Sequence, residues 1–397
     1  MIQADASYPL AGLKVLDLSR VLAGPFAGRL LSDLGADVVK VEPPDGDVTR
    51  LWGKVVGGVP GYYNQQNAGK RNICIDLRAP GGAALVLELA KHADILIENY
   101  RPDVMPRLGL GYAALKAVNP RLIMLSISGF GHGGPESRRP AYAAIIHAEI
   151  GLMARAKRRD PLSCGDLPLS VADTNASLHG LVGVLSAVIM RERTNLGQHI
   201  DIAMVDATLV SDDQIQYELE DSEDTMGLPN DVWETGAGAI LVSADFRHLF
   251  RSLTRSAGLA DPAAPEMDLD AKIAARRGAV DQFMRALADW DAVEAAMARI
   301  NIAWGRLRPG HDLGEQPTLR HRGSIVQIDD RAGGTRPIPQ SPYRFSAASS
   351  GVRAGAPHRG EHNADVLGDW LGLGAADLTR LAETGVLAAD VPATTEG

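Results

Sequence analysis

Short apolar runs alternate with helix-forming stretches over the first 130 residues, and this alternation restricts the fold more than any other feature. Lys14–Leu18 reads as a buried strand and Gly24–Leu34 as a helix, with Pro25 in the first turn, where a missing N–H costs little. Gly35 ends that helix and Asp37–Glu42 is the next strand. Strands this close to one helix form a β-α-β unit, whose two strands run parallel. The order then repeats: helix Pro80–His92 with apolar residues at helical spacing, strand Asp94–Glu98, helix Tyr112–Val118 and strand Leu122–Ile127. The expected fold class is therefore α/β, with a large doubly wound, Rossmann-like domain.

Sheets of this kind bind ligands beyond the carboxyl ends of their strands. Those ends carry Ser19-Arg20-Val21, Glu42-Pro43-Pro44, Asn99-Tyr100-Arg101 and Ser128-Gly129-Phe130. The first strand-to-helix junction has no Gly-x-Gly-x-x-Gly, which disfavours a nicotinamide or flavin dinucleotide. Further on, Asp173 stands at the mouth of an apolar helix-like segment, Ala176–Met190, followed by a strand over Ile200–Val205. On local pattern alone an acid there is a helix cap. The same carboxylate in a ligand cleft would be a nucleophile.

After Asp212 the texture changes. Tyr217–Asp224 is acidic and reads as a solvated connector. A strand, Ala239–Ser243, precedes four Ala-rich helices over Phe246–Ala257, Asp268–Arg277, Ala279–Trp290 and Ala292–Ile300. Pro309–Gly323 is loop-like and Ser324–Ile328 is a strand. Pro337, Pro339 and Pro342 punctuate the next stretch, and two short helices, Ala364–Leu373 and Ala375–Thr384, precede an unstructured end. The expected domains are 1–210 for the large α/β domain, 225–325 for a smaller, mainly helical α+β domain, and 326–397 for a C-terminal return to the large one.

A chain of 397 residues with 45% apolar and 22% charged content is ordinary for a soluble globular protein. A net charge of −9 argues against a nucleic-acid partner while leaving room for a local basic pocket. Cys74 and Cys164 have no His partners at metal-ligand spacing, so buried free thiols and no metal are expected. The N-terminal stretch lacks a positive n-region and an apolar h-region, and no run is long enough for a membrane span. A cytoplasmic location is the expectation.

Taken together, the motifs resemble those of the family III CoA-transferases, with α-methylacyl-CoA racemase as a divergent branch. They are Gly12–Leu18, Ala23-Gly24-Pro25, Leu34–Glu42, Asn67–Ile73, Asp76-Leu77, Glu98–Pro102, Ser128–Gly131, Asp173, Gly197–Asp201 and Gly360-Glu361-His362, in family order. The match is loose between about 207 and 320. The resemblance implies that Asp173 attacks a donor acyl-CoA, forming an anhydride and then an aspartyl-CoA thioester. Coenzyme A enters as part of the substrate, and a free carboxylic acid is the acceptor. The resemblance also implies Val21, Arg78, Asn99, Tyr100, Arg107, Ser128 and Phe130 as CoA contacts, with Arg78 and Arg107 suited to phosphates. Lys70 and Arg71 are left a structural role. The chain departs from some relatives at Pro43, Ser128 and Phe130, where those relatives carry a basic residue, a lysine and a tyrosine.

The glycine run Ser128–Pro135 would offer backbone N–H donors to an oxyanion, or is a plain turn. The histidine of the racemase branch falls at Tyr142, followed by Ala143, and tyrosine is a poor base at neutral pH. His147 and Glu149 stand nearby; His147 reads as a core residue and His179 as packing. Besides the transferase, a racemase and a CoA-binding protein without transfer activity remain open. Trp233, Trp304 and Arg306 are the candidates for shaping the acyl pocket. The resemblance further implies a homodimer of interlocked subunits.

Overall fold

The computed structural model describes residues 7–159, 165–222 and 230–390; Cys164 and the acidic Glu223 and Asp224 lie outside the described residues. Six parallel strands form the central sheet. In chain order they are Lys14–Asp17, Asp37–Glu42, Arg71–Cys74, Ile95–Glu98, Ile123–Ser128 and His199–Ala203. Across the sheet their order is third, second, first, fourth, fifth, sixth. This is the doubly wound order, and the winding reverses between Lys14–Asp17 and Ile95–Glu98.

Both faces of the sheet are covered, which is why its inner strands are largely apolar rather than alternating. Leu16, Val39, Val41, Ile73, Leu96 and Met124 pack on one side with helix Gly82–Ala90 and helix Asn363–Leu371. Val15, Val38, Ile95, Ile97, Ile123, Leu125 and Ile127 pack on the other, with helices Ala23–Asp33 and Val171–Thr194. The two lists interleave with period two, as strand geometry requires.

Strand Arg71–Cys74 was not evident from the sequence. It lies at the sheet edge, and the C-terminal part of the chain covers it. His362 N donates to Asn72 O at 2.9 Å, Cys74 N to Asn363 Oδ1 at 2.9 Å, and Gly360 N to Asn72 Oδ1 at 2.6 Å. Covering an edge in this way removes a row of unpaired backbone groups.

The chain forms two compact units, Met1–Asp213 with His321–Gly397, and Gln214–Arg320. The second contains an antiparallel sheet of Asn230–Thr235, Gly238–Ser243 and Ala303–Arg306, where the sequence pattern suggested one strand. The helices expected over Asp268–Arg277 and Ala279–Trp290 are a single helix, Leu269–Arg285. Gly278 continues it; one interior glycine costs about 1 kcal/mol, and burial of Val280 and Met284 offsets that. Asp289 then caps the next helix, Trp290–Ile300, accepting from Ala292 N at 2.9 Å. Part of the acidic connector is helical, Ile215–Leu219, and the loop-like stretch after Pro309 holds a short helix, Pro317–His321. Thr335–Pro339 pairs as a strand with Ile325–Asp329, in a two-stranded ribbon where prolines are tolerated. The strand expected to reach Val205 ends at Ala203, and Met204–Val210 is helical.

Candidate active site

The winding reversal leaves a crevice at the carboxyl edge of the sheet. Arg20 N donates to Asn99 Oδ1 at 2.8 Å and Asn99 Nδ2 donates to Arg20 O at 2.7 Å, joining the ends of the two diverging strands. Two cavities open on either side of this junction and share Arg20, Tyr100 and Val104. One, of about 580 Å³, is lined by Pro43, Pro44, Leu77, Arg78, Arg107 and Leu108 among others. The other, of about 370 Å³, holds Val21, Ala23, Asn99, Ser128, Tyr142 and Asp173.

Asp173 is not the helix cap that its local pattern suggests. The N-cap of Val171–Thr194 is Ser170, which places Asp173 at the third helical position. The backbone amides of Ala23 and Ala143, each the first residue of another helix, act on its carboxylate. Burial pushes its pKa up to about 6, and these amides oppose the rise. Among the described residues no lysine or arginine is paired with it. Ser177 Oγ donates to Asp173 O at 2.8 Å and also to Ala23 O, tying the two helix starts together. The result is a half-buried carboxylate, ionised near neutral pH and paired with no described cation, in a cavity that Arg20 and Arg101 also line.

His147 is buried behind this site. The Ala172 amide donates to its Nε2 at 3.1 Å, so Nε2 carries no proton, and Nδ1 faces Asp166 at 2.7 Å. Both ring nitrogens are thus engaged in holding the start of the Asp173 helix. Tyr142 caps helix Ala143–Glu149 and is 68% exposed. Glu149 pairs with Arg139, and His179 Nε2 lies 3.0 Å from Ser211 Oγ.

Below the crevice is a group of buried charges. Lys70 Nζ donates to Asp17 Oδ2 at 2.7 Å, to Pro25 O at 2.8 Å and to Asn67 Oδ1 at 2.8 Å. Burial brings the Lys70 pKa down to about 8, and Asp17 limits the fall. Lys40 donates to Ser19 O at 2.6 Å and pairs with Asp47 at 3.2 Å. Glu42, at the end of its strand, accepts two hydrogen bonds of 2.8 Å from Arg50 and one from Tyr63.

The structure brings Asp173, Val21, Asn99, Tyr100 and Ser128 to one cavity, and Arg78, Arg107 and Tyr100 to its neighbour. Phe130 is not among the lining residues; it packs on the core, with the Arg139 guanidinium 5.1 Å from its ring. In the glycine run, Gly131 N donates to Ser128 Oγ at 3.1 Å and His132 N to Asp201 Oδ2 at 2.9 Å, so these two amides close a turn. Trp233 and Trp304 lie in and against the core of the unit Gln214–Arg320, and Arg306 pairs with Glu294 while stacking on Trp290. Arg20, named at a ligand-facing strand end but not among the expected CoA contacts, lines both cavities at the winding reversal. Among the described residues no cluster of three His, Cys, Asp or Glu suits a metal ion, and no helix is long and apolar enough to cross a membrane.

The profile of CoA-transferase family III matches residues 10–363. The chain is 32% identical to the succinyl-CoA–D-citramalate CoA-transferase of Chloroflexus aurantiacus, over 94% of this chain and 96% of the relative. It is 31% identical to the succinate–glutarate CoA-transferase of Agrobacterium fabrum, over 91% of this chain and 95% of the relative. The crystal structure of a CAIB/BAIF family protein from Brucella suis superposes with a TM-score of 0.77 at 31% identity, covering 92% of this chain and all of that one.

Proposed function

The chain belongs to CoA-transferase family III, and on that premise we propose that it moves CoA from an acyl-CoA donor to a free carboxylic acid, with Asp173 as the covalent carrier. The observation that carries this reading is the Asp173 carboxylate itself: in a cavity at the winding reversal, faced by two helix-start amides, and unpaired with any described cation.

A free carboxylate is a weak nucleophile, but a thioester is an activated acyl group. The Asp173 carboxylate adds to the donor thioester carbonyl and expels CoA thiolate, leaving a mixed anhydride. The thiolate adds to the aspartyl carbonyl and expels the donor acid, leaving aspartyl-CoA thioester. The acceptor carboxylate then expels the thiolate, forming a second anhydride. The thiolate attacks the acceptor-derived carbonyl, and Asp173 leaves as carboxylate. Each intermediate retains the activation of the thioester. Two of these additions place an oxyanion on the aspartyl carbonyl, where the Ala23 and Ala143 amides that act on the carboxylate are the available donors. A cation paired with Asp173 would have lowered its nucleophilicity.

Arg20, Arg78 and Arg107 supply positive charge to the larger cavity, which suits the phosphates of CoA. Arg20 and Arg101 line the Asp173 cavity, which suits a second carboxylate on the transferred acid. The named substrates of the two relatives, citramalate, succinate and glutarate, are dicarboxylic acids. We therefore assign this chain a dicarboxylate acceptor or donor. A homodimer of interlocked subunits remains part of the proposal. It is supported by apolar side chains exposed on and beside helix Val171–Thr194: Leu178, Val182, Ile189 and, on Met204–Val210, Val210.

The test is intact-protein mass spectrometry after incubation with a panel of acyl-CoAs, with hydroxylamine or borohydride trapping. A modification at Asp173, absent from Asp173→Ala, is the expected result. CoA binding with no adduct from any donor would overturn the covalent route.

A further inference from the structure

The backbone between the first strand and the Asp173 cavity is held in a conformation that its own sequence disfavours. Val21 has φ of 67°, in the left-handed region, where a β-branched side chain is a genuine outlier. Such strain persists only when the surroundings enforce it. Here they do so at both ends of Ser19–Val21. Asp47 accepts from Val21 N at 3.1 Å, and Asp47 is held in turn by Lys40 at 3.2 Å. Lys40 donates to Ser19 O at 2.6 Å, and Asp17 accepts from Ser19 N at 3.0 Å. Lys70 joins Asp17 to Pro25 O in the first turn of helix Ala23–Asp33.

Two glycines permit this closeness. A Cβ on Gly24 would overlap Ser19 Cβ, and one on Gly28 would meet Asp17 Oδ2 at 2.7 Å. The turn ends at Ala23, whose amide faces the Asp173 carboxylate and whose carbonyl receives Ser177 Oγ. A continuous set of contacts therefore runs from buried charges to the carboxylate. All four charges, Asp17, Lys40, Asp47 and Lys70, are nearly or fully buried, and none lines either cavity.

We propose that Lys40 and Asp47 are positioning residues for the transfer reaction: they fix the strained turn at Ser19–Val21 and so hold the Ala23 amide against Asp173. The proposal rests on Asp173 being the nucleophile. A pair that served stability alone would be replaceable by neutral groups of similar shape. A pair that sets geometry would not, because a misplacement of about 1 Å near the reacting atoms costs on the order of 100-fold in rate.

The deciding variant is Lys40→Met/Asp47→Asn, which removes both charges and leaves neither one unpaired. Its unfolding midpoint is compared with wild type, together with kcat, KM for the acyl-CoA donor and the single-turnover rate of Asp173 acylation. The expected result is a folded protein whose kcat and acylation rate fall roughly 10- to 100-fold with KM little changed. A folded double variant that acylates at the wild-type rate, or that changes KM alone, would overturn the proposal. If the double variant does not fold, Asp47→Asn alone decides. It keeps an acceptor for Thr49 while losing the ion pair, and a wild-type acylation rate overturns the proposal equally. Failure of the underlying reading looks different: Asp173→Ala would then still turn over, whatever the behaviour of Asp47.

Discussion

Asp173 lines the crevice and the group Asp17–Lys40–Asp47–Lys70 is buried below it, and their carboxylates are treated in opposite ways. Asp17 and Asp47 are paired with lysines, which hold both carboxyls below the usual range although burial acts to raise them. Asp173 has backbone amides and no described cation, and burial lifts it to about 6. Pairing neutralises a buried acid and fixes what surrounds it. Withholding the cation leaves a carboxylate that is less stable in the fold and more reactive. The contrast separates acids that hold a site from the acid proposed to work in it.

The sharpest way to break this contrast is Asp173→Asn. It removes the proposed nucleophile while preserving shape, so transfer activity in a coupled acyl-CoA assay should fall by about 10³-fold or more. The same variant should be more stable than wild type at pH 8, by about 1–2 kcal/mol after allowing for partial exposure. The sign follows from the raised pKa. The protonated acid is tolerated by the fold, so the stability associated with it is complete below about pH 4 and is lost as pH rises through about 6. Urea titrations should therefore separate the two proteins at pH 8 and superimpose them near pH 4.

Asp17→Asn should behave oppositely. It leaves Lys70 buried without its carboxylate, and stability should fall by about 3–5 kcal/mol, seen as a lower denaturant midpoint. Should this variant prove as stable as wild type, the pair would not be the anchor described above.

A pH profile sharpens the comparison further. On the proposed route only ionised Asp173 attacks, so kcat/KM should rise with pH along an acid limb centred near 6 rather than near 4. An acid limb at the ordinary carboxylate position would mean that the site is wetter than its burial implies. The smallest effect is expected at the exposed end of the larger cavity. Arg107→Ala should raise KM for the acyl-CoA roughly threefold to tenfold, with kcat unchanged, because its guanidinium is solvated and already shared with Asp103.

Much of the large unit was legible in the chain. The β-α-β periodicity identified four of the six parallel strands, because runs buried on both faces are largely apolar, and a fifth was read after the Asp173 helix. Arg71–Cys74 escaped, since Arg-Asn-Ile-Cys is polar at half its positions. Its arginine pairs with Asp37 at 2.5 Å and its asparagine side chain donates to Glu42 at 2.6 Å, partners distant in sequence. The small unit was less legible. Strand Asn230–Thr235 presents a polar, largely exposed pattern, and its register depends on the neighbouring strand Gly238–Ser243. At the site, the residues at the strand ends were visible by position, and Asp173 by the resemblance of the surrounding motifs. Phe130 follows the same strand as Ser128 but packs on the core instead of lining the cavity.

By itself the sequence determined the layered α/β fold and the edge at which a ligand would sit, because periodicity and strand ends are local properties; the acid to suspect came from the resemblance of its motifs, since its local pattern reads as a helix cap. The tertiary structure alone decided what that acid experiences. Helix starts at Ala23 and Ala143 come from segments 120 residues apart and meet at one carboxylate. Lys40 and Lys70, of a residue type usually found at the surface, are buried beneath the crevice, where Asp17 at a strand end and Asp47 at the start of a short helix pair with them. Desolvation and charge pairing depend on what surrounds a group in space, and a carboxylate's neighbours in the chain do not determine either.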